Sequence, residues 1–189
     1  MLPVLKQEEL DQDFLQEIKG LPGGEEIEAC IQCGTCSGSC PSSHMMDYTP
    51  RKLILMVMAG MREEVLTSKA PWICASCYSC TVRCPHGVAV TEFMYLLKNL
   101  SMKRAPESRD VSSKVFYRSF NKIIENDGRI NEMKLMTSYA LKTDPTRLVQ
   151  MAPMGMKMLV KGRMPLVVAG IVNKEGFRRI LARARGERA

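Results

Sequence analysis

Two cysteine runs hold most of the chemistry this chain can do. The first reads Cys30-Ile31-Gln32-Cys33-Gly34-Thr35-Cys36-Ser37-Gly38-Ser39-Cys40-Pro41, the second Cys74-Ala75-Ser76-Cys77-Tyr78-Ser79-Cys80-Thr81-Val82-Arg83-Cys84-Pro85. Both are C-x2-C-x2-C-x3-C-P, and together they use all eight cysteines. Thiolates at i, i+3 and i+6 wrap a tight loop around one cubane [4Fe-4S] cluster and reach three of its irons. The fourth cysteine, followed by proline, leaves that loop and points at the other cluster. The spacing therefore predicts two interlocked sites, one on Cys30, Cys33, Cys36 and Cys84, the other on Cys74, Cys77, Cys80 and Cys40. A four-cysteine zinc site also uses C-x2-C pairs, but as two separated pairs around one ion. Here each run supplies three close thiolates and a proline-flanked fourth, which favours iron–sulfur clusters. Eight thiolates satisfy two cubes, so His44 and His86 are not needed as ligands. The small spacers Gly34, Ser37 and Gly38 let backbone N–H groups approach the cluster sulfides. Trp72 and Tyr78 stand beside the second run, where they pack and can keep water from a cluster.

The rest of the composition narrows the setting. With 189 residues the chain can bury a core and does not need cysteines as staples. The first residues have no apolar stretch of a secretory signal, and the longest apolar run near the C-terminus, 164–172, is too short to span a bilayer. The expectation is a cytoplasmic protein in a reducing compartment, where regularly spaced thiols serve metal or redox chemistry rather than disulfides. The formal charge of +7 is uneven: residues 1–100 hold 8 Lys/Arg against 12 Asp/Glu, a net −4, and residues 101–189 hold 19 against 8, a net +11. Each cubane with its four thiolates adds about −2 oxidised and about −3 reduced, so the loaded chain is close to roughly +3 or +1. Basicity is then mostly compensation plus a basic C-terminal half, and nucleic acid is not expected as a partner. No phosphate-binding glycine loop, Ser/His/Asp set or carboxylate pair for acid–base work is visible, so redox cofactors come without a place for substrate.

The elements that must position the cysteines read as helices. Residues 7–19 put Leu10, Phe14, Leu15 and Ile18 on one face, and Gly20 to Gly24 read as a linker. Thr49-Pro50 opens a helix that is apolar nearly all round through Ala59, with Gly60 as its stop. Arg62-Glu63-Glu64 reads as a polar turn. Thr91 caps a helix with Phe93, Leu96, Leu97 and Leu100 as its core stripe. The two halves form an internal repeat of cysteine run followed by helix. Beyond residue 105 a long helix over 106–126 carries Val111, Val115, Phe116, Phe120, Ile123 and Ile124 inward, and Gly128 ends it. Asn131 caps a shorter helix with Leu135, Met136 and Tyr139. Asp144-Pro145 starts another that Pro153 disturbs, and Asn173 caps a last one with Phe177, Ile180, Leu181 and Ala184 on one side and Arg178, Arg179, Arg183, Arg185 and Arg188 on the other. The 15 methionines include Met151, Met154, Met156, Met158 and Met164, fit either to fill core gaps or to make an adaptable partner surface. No segment alternates with period two, so the chain is expected to be all-α: an N-terminal helix and linker over 1–24, a helical dicluster domain over 25–104, and a basic, partner-docking helical region over 105–189.

Cys30 to Pro41, Pro50-Arg51-Lys52, and Trp72-Ile73-Cys74 through Arg83-Cys84-Pro85-His86-Gly87-Val88 resemble the C subunit of heterodisulfide reductase, over roughly residues 25–100. The resemblance implies an α-helical ferredoxin fold with two [4Fe-4S] clusters. It implies an electron-transfer component, not an independent catalyst, in a soluble multi-subunit complex. Single electrons would pass between the flavin-bearing iron–sulfur A subunit and the B subunit, whose CCG domains act on thiol or disulfide substrates. The alternatives are an iron–sulfur subunit of another dehydrogenase, a free-standing 2[4Fe-4S] ferredoxin, and a zinc-stabilised basic adaptor for nucleic acid.

Overall fold

The computed structural model describes residues 10–104, 111–163 and 170–184. Among the described residues every regular element is helical, as the absence of period-two patterning predicted. The chain divides into two compact units, Met1–Val111 and Ser112–Ala189.

The first unit contains α1 (Phe14–Lys19), α2 (Thr35–Gly38), α3 (Pro50–Met58), α4 (Arg62–Thr67), α5 (Ala70–Ile73), α6 (Ser79–Val82) and α7 (Val90–Arg104). Its core joins Phe14 and Ile18 of α1, Leu53, Ile54, Met56 and Val57 of α3, and Phe93, Met94, Leu96, Leu97 and Leu100 of α7. A six-residue helix is too short to stand alone, and α1 holds because Phe14 and Ile18 are fully buried, worth about 1.5–3 kcal/mol each. Arg62 pins it further, bonding Asp11 and, at 2.6 Å, Glu17, with its guanidinium 4.7 Å from the centre of the Phe14 ring. Arg104 at the end of α7 also pairs with Glu17.

Several local expectations change. Helix α1 starts at Phe14; of the expected 7–19, residues 7–9 lie outside the described residues. Residues 20–24 are a packed turn instead of a free linker: a Cβ on Gly24 would stand 2.0 Å from the Ile18 carbonyl oxygen. Pro50 does open α3, but Leu55 is half exposed, so one side of that helix meets water. The Arg62-Glu63-Glu64 turn is the first turn of α4, with Val65 and Leu66 buried. Thr91 lies inside the first turn of α7, and its hydroxyl is committed elsewhere.

The second unit contains α8 (Val111–Asp127), α9 (Glu132–Thr143), α10 (Thr146–Val160) and α11 (Lys174–Ala184). The expected start of α8 at 106 lies outside the described residues, as do 164–169, Arg185 and Arg188. Gly128 ends α8, and the Asn131 side chain accepts from the Lys134 N–H at 3.1 Å to cap α9. Asp127 gathers the unit: its carboxylate meets Lys134 at 2.7 Å and Lys174 at 3.6 Å, and its carbonyl accepts from the Ile171 N–H at 3.1 Å. The inward face of α8 holds part of the expected set: Ile123 is buried and Phe116 meets Tyr139 edge-on, but Lys114 and Ser119 are buried too, and Phe120, stacked on Phe116, is exposed. Ser119 is taken inward by Lys142 and Ser138 of α9, each 3.3 Å away. Helix α10 runs through Pro153 without breaking, and Met151, Met154, Met156 and Met158 along it are exposed. Asn173 caps α11 through the Gly176 N–H at 2.8 Å, as expected, but Ile180 is exposed.

Candidate metal centre

The two cysteine runs fold alike because their backbones are forced into the same turns. Gln32 and Gly34 in the first, and Ser76 and Tyr78 in the second, all have positive φ, between 54° and 83°. These residues are equivalent at a spacing of 44 in the chain. Each pair reverses the backbone twice, so that three thiols converge on the inside of the loop. A one-turn helix follows in each run, α2 and α6, carrying Cys36 and Cys80 at equivalent positions. These two helices pack against one another.

A second matched feature joins each loop to the next long helix. Ser37 Oγ accepts from the Arg51 N–H at 3.0 Å, and Thr81 Oγ1 accepts from the Thr91 N–H at 3.0 Å. Ser37 and Thr81 are equivalents in the repeat, and Arg51 and Thr91 are each the second residue of their helix, α3 and α7. The first N–H groups of a helix have no partner within it, and a hydroxyl from the neighbouring loop satisfies one. Thr91 adds its hydroxyl, 3.0 Å from Thr81 Oγ1 and 3.5 Å from Cys80 Sγ. Close to the exposed thiols, Cys33 Sγ lies 3.4 Å from Thr35 Oγ1 and Cys77 Sγ 3.5 Å from Ser79 Oγ. Once a thiolate forms, those hydroxyls can donate to it.

The eight thiols line two separate cavities, each with about 350 Å³ of open space that includes a mouth to solvent. Cys30, Cys33, Cys36 and Cys84 line the first, with Arg51, Ile54, His86 and Val90 among its other walls. Cys40, Cys74, Cys77 and Cys80 line the second, with Met46, Tyr78, Thr91 and Met94. Each cavity thus has three cysteines of one run and the proline-flanked cysteine of the other. Among the described residues no three Cys, His, Asp or Glu side chains converge tightly enough to hold a single metal ion. Four thiolates around one zinc stand about 2.3 Å from it and leave no interior. A space ringed by four thiols is the shape a cubane needs.

The electrostatics have the same pattern. Burial pushes the Cys36 thiol up, and Cys30 and Cys80 add to it. Burial likewise raises Cys40, reinforced by Cys74, Cys80 and Cys77 of its own cavity. Cys33 is held below the ordinary thiol value by the Thr35 hydroxyl, and Cys77 by Ser79. Buried as they are, the Cys36 and Cys40 thiols resist ionising until a positive metal core is present to offset their charge.

A family model for the 4Fe-4S dicluster domain matches residues 26–88. The C subunit of the H2:CoB-CoM heterodisulfide,ferredoxin reductase of Methanothermobacter thermautotrophicus is 36% identical over 113 residues, 58% of this chain and 60% of that relative. The chain is thus similar to heterodisulfide reductase C subunits over the stretch that holds its dicluster domain. The iron–sulfur C subunit of the CoB–CoM heterodisulfide reductase of Methanopyrus kandleri is 39% identical over 108 residues, 53% of this chain and 56% of the relative. A protein of Archaeoglobus profundus described as like the heterodisulfide reductase C subunit is 34% identical over 96 residues, half of each chain. The chain therefore spans between half and three-fifths of the length of these relatives. With the 4Fe-4S dicluster domain, its eight cysteines provide for two [4Fe-4S] clusters. No helix among the described residues is long and apolar enough to cross a membrane.

Reading the cysteines alone misses Ser37, Thr81, Thr91 and Arg51, which tie the dicluster loops to their helices; of these, Arg51 walls the first cavity and Thr91 the second. The hydroxyls of the first two recur at the same place in both runs, a repeat whose meaning shows only when their partners Arg51 and Thr91 are brought next to them. His86, not needed as a ligand, does line the first cavity.

Proposed function

We propose that this chain relays single electrons within a heterodisulfide-reductase-type complex. One cluster would sit on Cys30, Cys33, Cys36 and Cys84, the other on Cys74, Cys77, Cys80 and Cys40. The observation that carries this reading is the packing of α2 on α6, which sets Cys36 and Cys80, one from each cavity, close enough for a charge on Cys80 to bear on Cys36. A [4Fe-4S] cluster, when bound, supplies storage for one electron at a potential tuned by hydrogen bonds, burial and charge. The chain's part is to hold two such stores back to back, donate hydroxyl hydrogen bonds to the outer thiolates, and keep the inner ones dry.

The relatives' names speak of a heterodisulfide of coenzymes B and M and of ferredoxin. By that likeness the partners are a flavin-bearing iron–sulfur protein, the A subunit, and a CCG-domain protein, the B subunit, acting on a thiol or disulfide substrate. The exposed methionines of α10 and the arginines of α11 suit docking of an acidic, apolar-patched neighbour.

Anoxic purification tests the relay reading. The expected result is co-elution with a flavoprotein and a CCG protein, with eight irons and eight sulfides on this chain. A stable lone monomer carrying the same load would make it a free ferredoxin instead. Ligation is tested by Cys40→Ser and Cys84→Ser followed by EPR of the reduced protein. Cys40→Ser should alter the same signal as Cys77→Ser, and Cys84→Ser the same signal as Cys33→Ser. The opposite pairing would exclude the crossed assignment.

A further inference from the structure

The repeat makes the two cavities comparable wall by wall, and one matched pair differs in charge. Arg51 and Thr91 hold equivalent places: second residue of the helix, backbone N–H bound at 3.0 Å by a loop hydroxyl, side chain on the cavity wall. A second pair differs in step with it. Gly34 and Tyr78 share the left-handed backbone conformation, but Gly34 has no side chain. Arg51 occupies the room this leaves: a Cβ on Gly34 would lie 3.5 Å from Arg51 Cδ and 3.8 Å from its Nη1. In the other loop Tyr78 fills that side, with its phenol facing the Glu92 carboxylate, and the short Thr91 stands where the arginine would be.

The exchange leaves the cavities with different electrostatics. Arg51 brings a permanent positive charge to the wall of the first. Cysteines aside, no residue lining the second is charged. Carboxylates neighbour its lining residues: Glu92 follows Thr91 in the chain and faces the lining Tyr78, and Asp47 follows the lining Met46 in the chain. Asp47 is fixed there by the Lys69 and Ala70 N–H groups, at 2.8 and 3.0 Å, and by the Ser68 hydroxyl.

We infer that Arg51 sets the order of the two potentials, making the first cavity, ringed by Cys30, Cys33, Cys36 and Cys84, the place where an electron comes to rest within this chain. Reduction adds one negative charge to a four-thiolate centre that is already negative. A fixed cation at the wall stabilises that reduced form more than the oxidised one, and carboxylates neighbouring the other wall do the reverse. One electron is lost from the second cavity and one gained in the first, with no bond made or broken and no proton required. Within this chain the downhill direction therefore runs from the second cavity to the first. The inference rests on the dicluster relay proposed above and adds a direction to it.

The test is an anaerobic potentiometric titration, followed by EPR, of the full chain loaded with two clusters. The wild type should show two midpoints, the higher belonging to the signal that Cys33→Ser abolishes, an assignment that does not depend on the crossed fourth ligands. Arg51→Gln should lower that midpoint by about tenfold in reduction constant, about 59 mV for one electron, and leave the other unmoved; Arg51→Lys should recover most of the loss. If Arg51→Gln moves neither midpoint, both equally, or the lower one, the assignment is overturned. If that variant loses iron, Glu92→Gln is the deciding measurement. It should raise the lower midpoint alone, and an unchanged value would overturn the proposal. Wild-type protein that cannot hold eight irons would fail the relay reading itself, whereas full loading with unmoved midpoints would fail only the role of Arg51.

Discussion

Thr91 shows how much depends on a residue with no part in ligation. It is buried, its N–H and hydroxyl both meet Thr81 at 3.0 Å, and the hydroxyl reaches Cys80 Sγ. Thr81→Val keeps the shape and removes the acceptor, leaving a buried N–H without its partner at a cost of about 1–3 kcal/mol. The holo-protein should melt at lower temperature, and iron should leave the second cavity faster under a chelator than in wild type. Ser37→Ala should cost less, because Arg51 stands at a more exposed helix start. Equal effects of the two changes would mean that burial does not govern these locks. The cysteines themselves were legible in the chain because ligand chemistry depends on local spacing. Thr81 was not, because a hydroxyl between cysteines looks like a solvated spacer until its partner ten residues on is brought next to it.

At the scale of elements, Asp47 fixes the start of α5 and so aims Cys74. Its carboxylate receives the Lys69 and Ala70 N–H groups and the Ser68 hydroxyl. Burial works to raise its pKa, but these bonds and the Tyr48 N–H win and hold it below the ordinary 3.8. A carboxylate depressed in the folded state contributes stability that is present in full above its unfolded value and is lost as pH falls through the folded one. Asp47→Asn should therefore lower the melting temperature at neutral pH, and the gap from wild type should close as pH drops below 3.8. A gap independent of pH would show that the carboxylate charge is not what holds α5. The sequence placed α3, α9 and α11 by their proline and asparagine starts, since capping is decided by neighbours in the chain. It misjudged Arg62, whose polar run looked like a turn, because Val65 and Leu66 show their burial only once α4 lies on α7. It also misjudged Pro153, where the cost of a proline inside a helix did not stop α10.

Across the whole molecule, the two compact units divide the work by composition. All eight cysteines, both cavities and the main apolar core belong to Met1–Val111. The strong positive charge and the exposed methionines of α10 belong to the later part of the chain. A fragment ending at Val111 should bind the same iron and sulfide per chain as the full protein, read by metal and sulfide analysis, while losing co-purification with partner subunits. A fragment that folds but stays without iron would show that the second unit is needed to build the clusters. The charge asymmetry was readable from composition alone, because net charge is a sum over residues and needs no coordinates.

The sequence by itself determined the cofactor class, the helical fold and the doubled loop, because thiolate spacing, capping and hydrophobic period are all local in the chain. Tertiary structure decided that α2 meets α6, and that Arg51 and Thr91 stand at matching walls. Those facts depend on segments about 40 residues apart being packed together around a common core, and no local pattern encodes where such segments will meet.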